Sequence, residues 1–227
     1  TADQTEVEDG KVEVFGPEID DIKEGDVLPL GIEVLVYGRK MQDDFEPVME
    51  RQIHYFVNYA TGIFHMGQRD IIWVRFSKEA VKKGFKIKHI GTILHAKMHS
   101  DFGNIMDKIQ VKIYTNPEDV SALKARAKGV FRTRDERLKT LTDESVDTFY
   151  SCSLCQSFAP NHICAVSPER PGLCGAYNWL DCKASNEINP TGPNQPIQKG
   201  ETIDENLGVW KGVNEFVFKA SNQALES

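Results

Sequence analysis

The chain is 227 residues long and 40% hydrophobic, with 27 Lys and Arg against 34 Asp and Glu and a net charge of −7. That length suffices for one large domain or two modest ones, and the acidic balance argues against nucleic-acid binding, which needs a basic face. No run of about eighteen apolar residues is present to span a membrane, and cysteines without a visible export signal point to a reducing, cytoplasmic setting.

Residues 1–10 (TADQTEVEDG) are acidic and polar, begin without Met, and read as a cut start or linker. Lys11–Gly16 alternates apolar and polar residues, a strand pattern. Residues 17–26 form a turn-rich connection, and Leu28–Tyr37 predicts a second, more buried strand. Asp43 or Asp44 can cap a long helix with Pro47 in its first turn. That helix would carry Val48, Ile53, Phe56, Val57, Tyr59, Ile63 and Phe64 as far as Gly67. Ile71–Phe76 predicts a third strand, and Ser77 the cap of a short helix. A helix over Ile90–His99, a strand over Ile109–Tyr114 and a Lys/Arg-rich helix over Val120–Leu138 follow. Strands separated by helices predict an α+β fold, with a mixed sheet and flanking helices over residues 11–141. Thr142–Ser145 (TDES) offers a fresh cap before Val146 and Phe149. Residues 142–227 are then expected to form a partial, less regular domain around a cysteine-bearing loop.

All five cysteines fall within residues 149–182, at spacings Cys152-x2-Cys155-x8-Cys164-x9-Cys174-x7-Cys182. A CxxC pair lets two thiolates reach one metal or cluster, and two more from the same loop can close a tetrahedral set. The odd count disfavours a disulfide framework. Close-spaced couples are commoner at structural zinc than the wide Cys164–Cys174 gap. Spacing alone leaves zinc and an iron–sulfur cubane both open.

The residues between the cysteines carry a resemblance. CSLCQSFAPNHIC, SPERPGLCGAYNWLD and KASNEINPTGPNQPI closely resemble the cluster-binding segment of acetyl-CoA synthase, a component of the carbon monoxide dehydrogenase/acetyl-CoA synthase complex of acetogens and methanogens. The likeness extends upstream through EPVMERQIHYFVNYATGIFHMGQRDIIWVRFSKEAV and TDESVDTFYSC. It implies that Cys152, Cys155, Cys164 and Cys174 bind a [4Fe–4S] cluster, with Cys155 bridging to a proximal nickel. Soft thiolates suit both metals. A second nickel is held in the family by a downstream Cys-Gly-Cys motif that is not in this sequence. The resemblance therefore implies a truncated fragment, inactive by itself, comprising a central domain and the start of the nickel/iron–sulfur domain.

The parent activity implied is an acyltransferase reaction of anaerobic carbon fixation (the Wood–Ljungdahl pathway), joining CO, a corrinoid-borne methyl group and coenzyme A into acetyl-CoA. Implied partners are a carbon monoxide dehydrogenase subunit, a corrinoid iron–sulfur protein and coenzyme A. Phe158 and Trp73 are expected as pocket walls, against the simpler reading of aromatic core. His162 is expected beside the cluster or on the surface rather than as a ligand, and Cys182 as a packed or surface thiol. His95 and His99, with no carboxylate at motif spacing, read as a helix face, and His54, His65 and His89 show no paired motif. Residues 11–141 are the expected coenzyme A module. Its phosphates need basic residues, with candidates at Lys82, Lys83, Lys86, Lys88, Arg51, Arg69 and Arg75, and a second cluster at Arg126, Arg132, Arg134 and Arg137. Solvated helix faces are the simpler account of most of these. Two rival readings are an electron-transfer [4Fe–4S] module and a zinc-stapled interaction domain.

Overall fold

The computed structural model describes residues 3–23, 26, 28–39, 41, 44, 45, 48, 49, 63–68, 71–157, 159–175 and 177–225, with backbone only for 63–76 and 157. The chain divides into two compact units, Thr1–Met41 with Met49–Phe131, and Gln42–Val48 with Arg132–Ser227. In chain order the strands of the first unit are β1 (Val12–Phe15), β2 (Leu28–Pro29), β3 (Gly31–Tyr37), β4 (Ile63–Gln68), β5 (Ile71–Phe76) and β6 (Lys108–Tyr114). Its helices are α1 (Lys78–Lys82) and α2 (Ile87–Phe102), and α3 (Pro117–Leu138) begins there. The fold is α+β, as the sequence predicts.

β6 is the centre of the first unit. β1 runs parallel on one side, with Val12 opposite Val111, and β3 antiparallel on the other, with Val34 opposite Val111, so the sheet β1-β6-β3 is mixed. Ile109, Val111 and Ile113 alternate along β6 and are fully buried, as a period of two requires. α2 covers β6 and β1. It buries Ile87, Ile90, Gly91, Leu94, Met98 and Phe102, an i, i+3, i+4, i+7 stripe. Each large member contributes about 1.5–3 kcal/mol. Gly91 is where helix and sheet come closest, since a Cβ there would meet Val12 Cγ1 at 2.4 Å. Ser77 caps α1 as expected, its Oγ accepting from the Ala80 N–H at 3.1 Å.

Three expectations need correction. The stretch 28–37 is two strands in different sheets, because Pro29 has no N–H to extend the ladder and the chain leaves β2 for β3 at Leu30. Ile63, Phe64 and Gly67 are not helical: they lie in β4, paired antiparallel with β5 from Ile63–Phe76 to Gln68–Ile71. The partner strand overrides the apparent helical period. Phe45, Val48 and Met49 are helical and Asp44 adopts φ 60°, whereas Asp43, Pro47, Ile53, Phe56, Val57 and Tyr59 lie outside the described residues. Finally, Thr142–Ser145 caps no helix. Its hydroxyls close a turn on themselves (Thr142 N–H to Ser145 Oγ, 2.9 Å), and a strand follows.

The second unit contains β7 (Thr148–Cys152), β8 (Cys164–Val166), α4 (Trp179–Ile188), β9 (Pro196–Gln198), β10 (Thr202–Asp204), β11 (Val209–Trp210) and α5 (Lys211–Ala220). β7 is central in the antiparallel sheet β8-β7-β9. Its faces serve two cores. Phe149 joins Ile163, Ile197, Trp210, Val213 and Val217, while Tyr150 and Cys152 join Val166 and Cys182. Arg134, 7% exposed, is ion-paired with Asp181, 2% exposed, in the first turn of α4. Asp181 also exchanges 2.9 Å hydrogen bonds with the N-cap Asn178.

Two outcomes test this description. Arg134→Met leaves Asp181 buried without its charge partner and should lower stability by about 3–5 kcal/mol in urea unfolding. Adding Asp181→Leu should recover part of that, short of the roughly 1 kcal/mol of the lost hydrogen bond from the Asn178 N–H. The second concerns Tyr114, which stacks on Phe15 and donates to Glu33 Oε2 at 2.8 Å. Burial first, then the Glu33 bond and charge, push its phenol up to about 12 from 10.0. The folded state thus holds this proton more tightly than the unfolded one. The advantage over Tyr114→Phe, about 1 kcal/mol at pH 9, should shrink as pH rises from 10 towards 12. A gap that widened with pH would contradict it.

Candidate metal centre

The first two candidate ligands on facing strands are placed by backbone pairing. Cys152 ends β7, Cys164 begins β8, and the two are directly opposed in the antiparallel ladder, where Cα atoms lie about 4.5–5.5 Å apart. The connection between them folds tightly. A 3₁₀ turn over Leu154–Ser157 carries Cys155, whose carbonyl accepts from the Ala159 N–H at 2.8 Å. Asn161 then takes φ 67°, a left-handed conformation suited to Asn. Cys174 stands in an exposed turn closed by Gly175 N–H to Gly172 C=O at 2.8 Å, with Gly175 at φ 68°.

All five cysteines are thiols. Cys152 is buried, Cys155 and Cys164 are half-buried, and Cys174 is exposed. Burial pushes the Cys152 thiol up, the Leu154 N–H opposes that shift, and negative charge at Cys164 and Cys174 adds to it. A bound cation would favour loss of the proton that burial holds on Cys152. One zinc ion with bonds of about 2.3 Å would hold its sulfurs roughly 3.8 Å apart. Among the described residues, no three cysteine sulfurs lie within 4.8 Å of one another. The four side chains offer thiolate sulfur alone, the donor type that zinc and iron–sulfur clusters both take.

The neighbours of these thiols are specific. His162 Nε2 lies 3.3 Å from Cys164 Sγ. Cys182 is fully buried against Cys152 and accepts from Asn194 Nδ2 at 3.3 Å, a packed thiol. Phe158 lies outside the described residues. Trp73 belongs to β5, opposite Met66 and Pro29, and its side chain is outside the description.

The basic candidates are dispersed. Lys83 pairs with Glu79 at 2.9 Å, Lys86 with Asp20, Arg126 with Glu33 at 3.0 Å and Arg137 with Asp44. Lys82, Lys88 and Arg132 are exposed. Arg134 is corrected outright: its charge is consumed inside the second unit by Asp181 rather than offered to a phosphate. Arg51 and Arg69 lie outside the described residues, and Arg75 is described by backbone alone. His95 and His99 share one face of α2, as the sequence predicts, and have a partner that it does not predict. A carboxylate, Asp9, does meet both, from 86 and 90 residues away; the i, i+4 pair was the only signal in the sequence. No helix among the described residues is long and apolar enough to cross a membrane.

Comparison with known proteins places this chain. Residues 1–120 match the family described as CO dehydrogenase/acetyl-CoA synthase complex beta subunit, and residues 131–227 match the family described as the C-terminal part of the ACS/CODH beta subunit. The carbon monoxide dehydrogenase/acetyl-CoA synthase subunit alpha of Moorella thermoacetica is 57% identical, over 100% of this chain and 31% of its own length. The acetyl-CoA decarbonylase/synthase complex subunit beta of Methanopyrus kandleri is 45% identical, over 99% of this chain and 48% of its own. A Methanocaldococcus jannaschii subunit beta 2 of the same complex is 44% identical over 95% and 46%. This chain thus spans between 31% and 48% of the length of these relatives. With both units matched along nearly their whole length, the chain belongs to the CO dehydrogenase/acetyl-CoA synthase complex beta subunit family.

Proposed function

We infer that this chain contributes the iron–sulfur part of an acetyl-CoA synthase active site, with Cys152, Cys155, Cys164 and Cys174 holding a [4Fe–4S] cluster and Cys155 bridging to nickel. The observation that carries the reading is the opposed Cys152–Cys164 pair, with Cys155 on the turn between them, in a chain of this family. When bound, such a nickel–iron–sulfur centre supplies the low-valent metal at which CO and a methyl carbon can be joined and delivered to the thiol of coenzyme A, an acyltransferase reaction.

The chain's own residues have definable tasks in that setting. The four thiols must release their protons to bind metal, and for Cys152 burial makes that release dependent on the incoming cation. Tyr150, Val166 and Cys182 form a dry floor under Cys152, which excludes water from that side and fixes the thiol's direction. His162 holds a ring nitrogen against Cys164 Sγ, from where an N–H can orient that sulfur. By the same family argument, residues 11–141 serve as the coenzyme A module. The natural partners are a carbon monoxide dehydrogenase subunit supplying CO and a corrinoid iron–sulfur protein supplying methyl, in an anaerobic cytoplasm. Phe158 and Trp73 remain the proposed pocket walls.

Anaerobic purification with joint measurement of iron, acid-labile sulfide, zinc and visible absorption tests the reading. The expected result is about four irons and four sulfides per chain with a broad thiolate-to-iron band. Serine at Cys152, Cys155, Cys164 or Cys174 should each abolish or greatly deplete the iron, whereas Cys182→Ser should keep it. One zinc without sulfide would favour a zinc-stapled domain and sink the assignment. A cluster that cycles its charge while the full-length protein binds no nickel would favour electron transfer.

A further inference from the structure

The first unit gathers a second set of metal-type donors, independent of the cysteines and of the function inferred from them. His95 and His99 lie one turn apart on α2, and the Nε2 of each reaches the same oxygen, Asp9 Oδ1, at 3.0 and 2.9 Å. Their rings stand 4.6 Å apart between centroids, and the three donor atoms lie within 4.8 Å of one another. Asp9 is held in place from behind. The Ile109 N–H donates to Oδ1 at 3.0 Å, the Gly10 N–H donates to Ile109 C=O at 3.0 Å, and the Glu8 N–H donates to Gln110 Oε1 at 3.0 Å. This loop is therefore bound along the start of β6 and carries its carboxylate at a fixed position. The side chains of Asp9, His95 and His99 keep 45%, 24% and 30% exposure, so an ion can enter from solvent.

We propose that Asp9, His95 and His99 form a binding site for a borderline divalent transition-metal ion such as Zn²⁺, clipping the N-terminal loop to α2. Two imidazole nitrogens and one carboxylate match the donors such ions take, whereas Ca²⁺ and Mg²⁺ prefer oxygen alone. With bonds of about 2.0–2.1 Å, donors at right angles lie roughly 2.9 Å apart and tetrahedral donors roughly 3.4 Å. The observed 2.9 and 3.0 Å separations of each Nε2 from Asp9 Oδ1 match the first of these, and the two imidazole nitrogens lie within 4.8 Å of each other. Each imidazole gives up its Nε2 proton or shifts it to Nδ1, and the ion takes the place of those hydrogens. Three protein donors leave the remaining positions to water. The backbone bond from Ile109 orients the carboxylate as outer partners of metal ligands do. Because the clip joins residues 86 and 90 apart in sequence, closing it in the folded state adds stability that the unfolded chain does not share.

The discriminating probe is the imidazole nitrogen spectrum of the full chain, simple enough to assign with six histidines. Zn²⁺ is added stepwise past the amount the thiols take up. The expected result is a joint shift of Nε2 in His95 and His99, with a rise in melting temperature that Asp9→Asn, His95→Gln and His99→Gln each remove. Asp9→Asn changes no volume and guards against a folding defect at the histidines. If neither Nε2 signal moves once zinc exceeds the thiols, the three residues are a hydrogen-bonded clasp only and the proposal is overturned. Iron content at the cysteines reads separately on the cluster assignment, so either can fail alone.

Discussion

The buried charge pair of Arg134 and Asp181 is the constraint on which the second unit depends. Taking a guanidinium and a carboxylate out of water costs several kcal/mol per ion, and their attraction offsets this only in a fixed geometry. That geometry is over-determined here. Asp181 is both the partner of Arg134 and the third residue of α4, where it and Asn178 satisfy each other's backbone N–H groups. The start of α4 is therefore set by a charge that cannot be left alone. Since α4 carries Cys182 into the cluster beneath Cys152, the floor of the thiol site inherits its position from that pair.

β7 transmits this order to the ligands. Its alternating side chains are clamped from both faces, Phe149 edge-on to Trp210 at 5.0 Å with Lys199 over both rings, and Tyr150 edge-on to Trp179 at 5.8 Å. The indole N–H of Trp179 further anchors α4 to the strand through Thr148 C=O at 2.9 Å. A ligand at the end of so constrained a strand has little rotational freedom to lose when it binds, which favours a preorganised centre.

What the sequence discloses follows the range of the interaction. The alternation in β1 and β6, the Ser77 cap and the apolar stripe of α2 depend on neighbours within a turn or a strand, and they are readable directly. The cysteine spacing is readable too, because all five thiols lie in one stretch of chain. What escapes inspection is set by distant partners. Ile63–Gln68 is a strand because β5 pairs with it, and Pro29 divides one apolar run between two sheets. Asp9 meets His95 and His99 only through the fold, and Arg134, a candidate for phosphate binding, proves to be interior and paired with Asp181. In each case a short pattern was ambiguous until a remote segment resolved it.

The opposition of Cys152 and Cys164 has one further consequence. Successive residues of a strand face opposite sides, so sliding β8 by a single residue against β7 would turn one of the two thiols away from the other. Were these thiols to bind metal, only strands in phase would present both to one centre, and binding would favour that alignment over its neighbours.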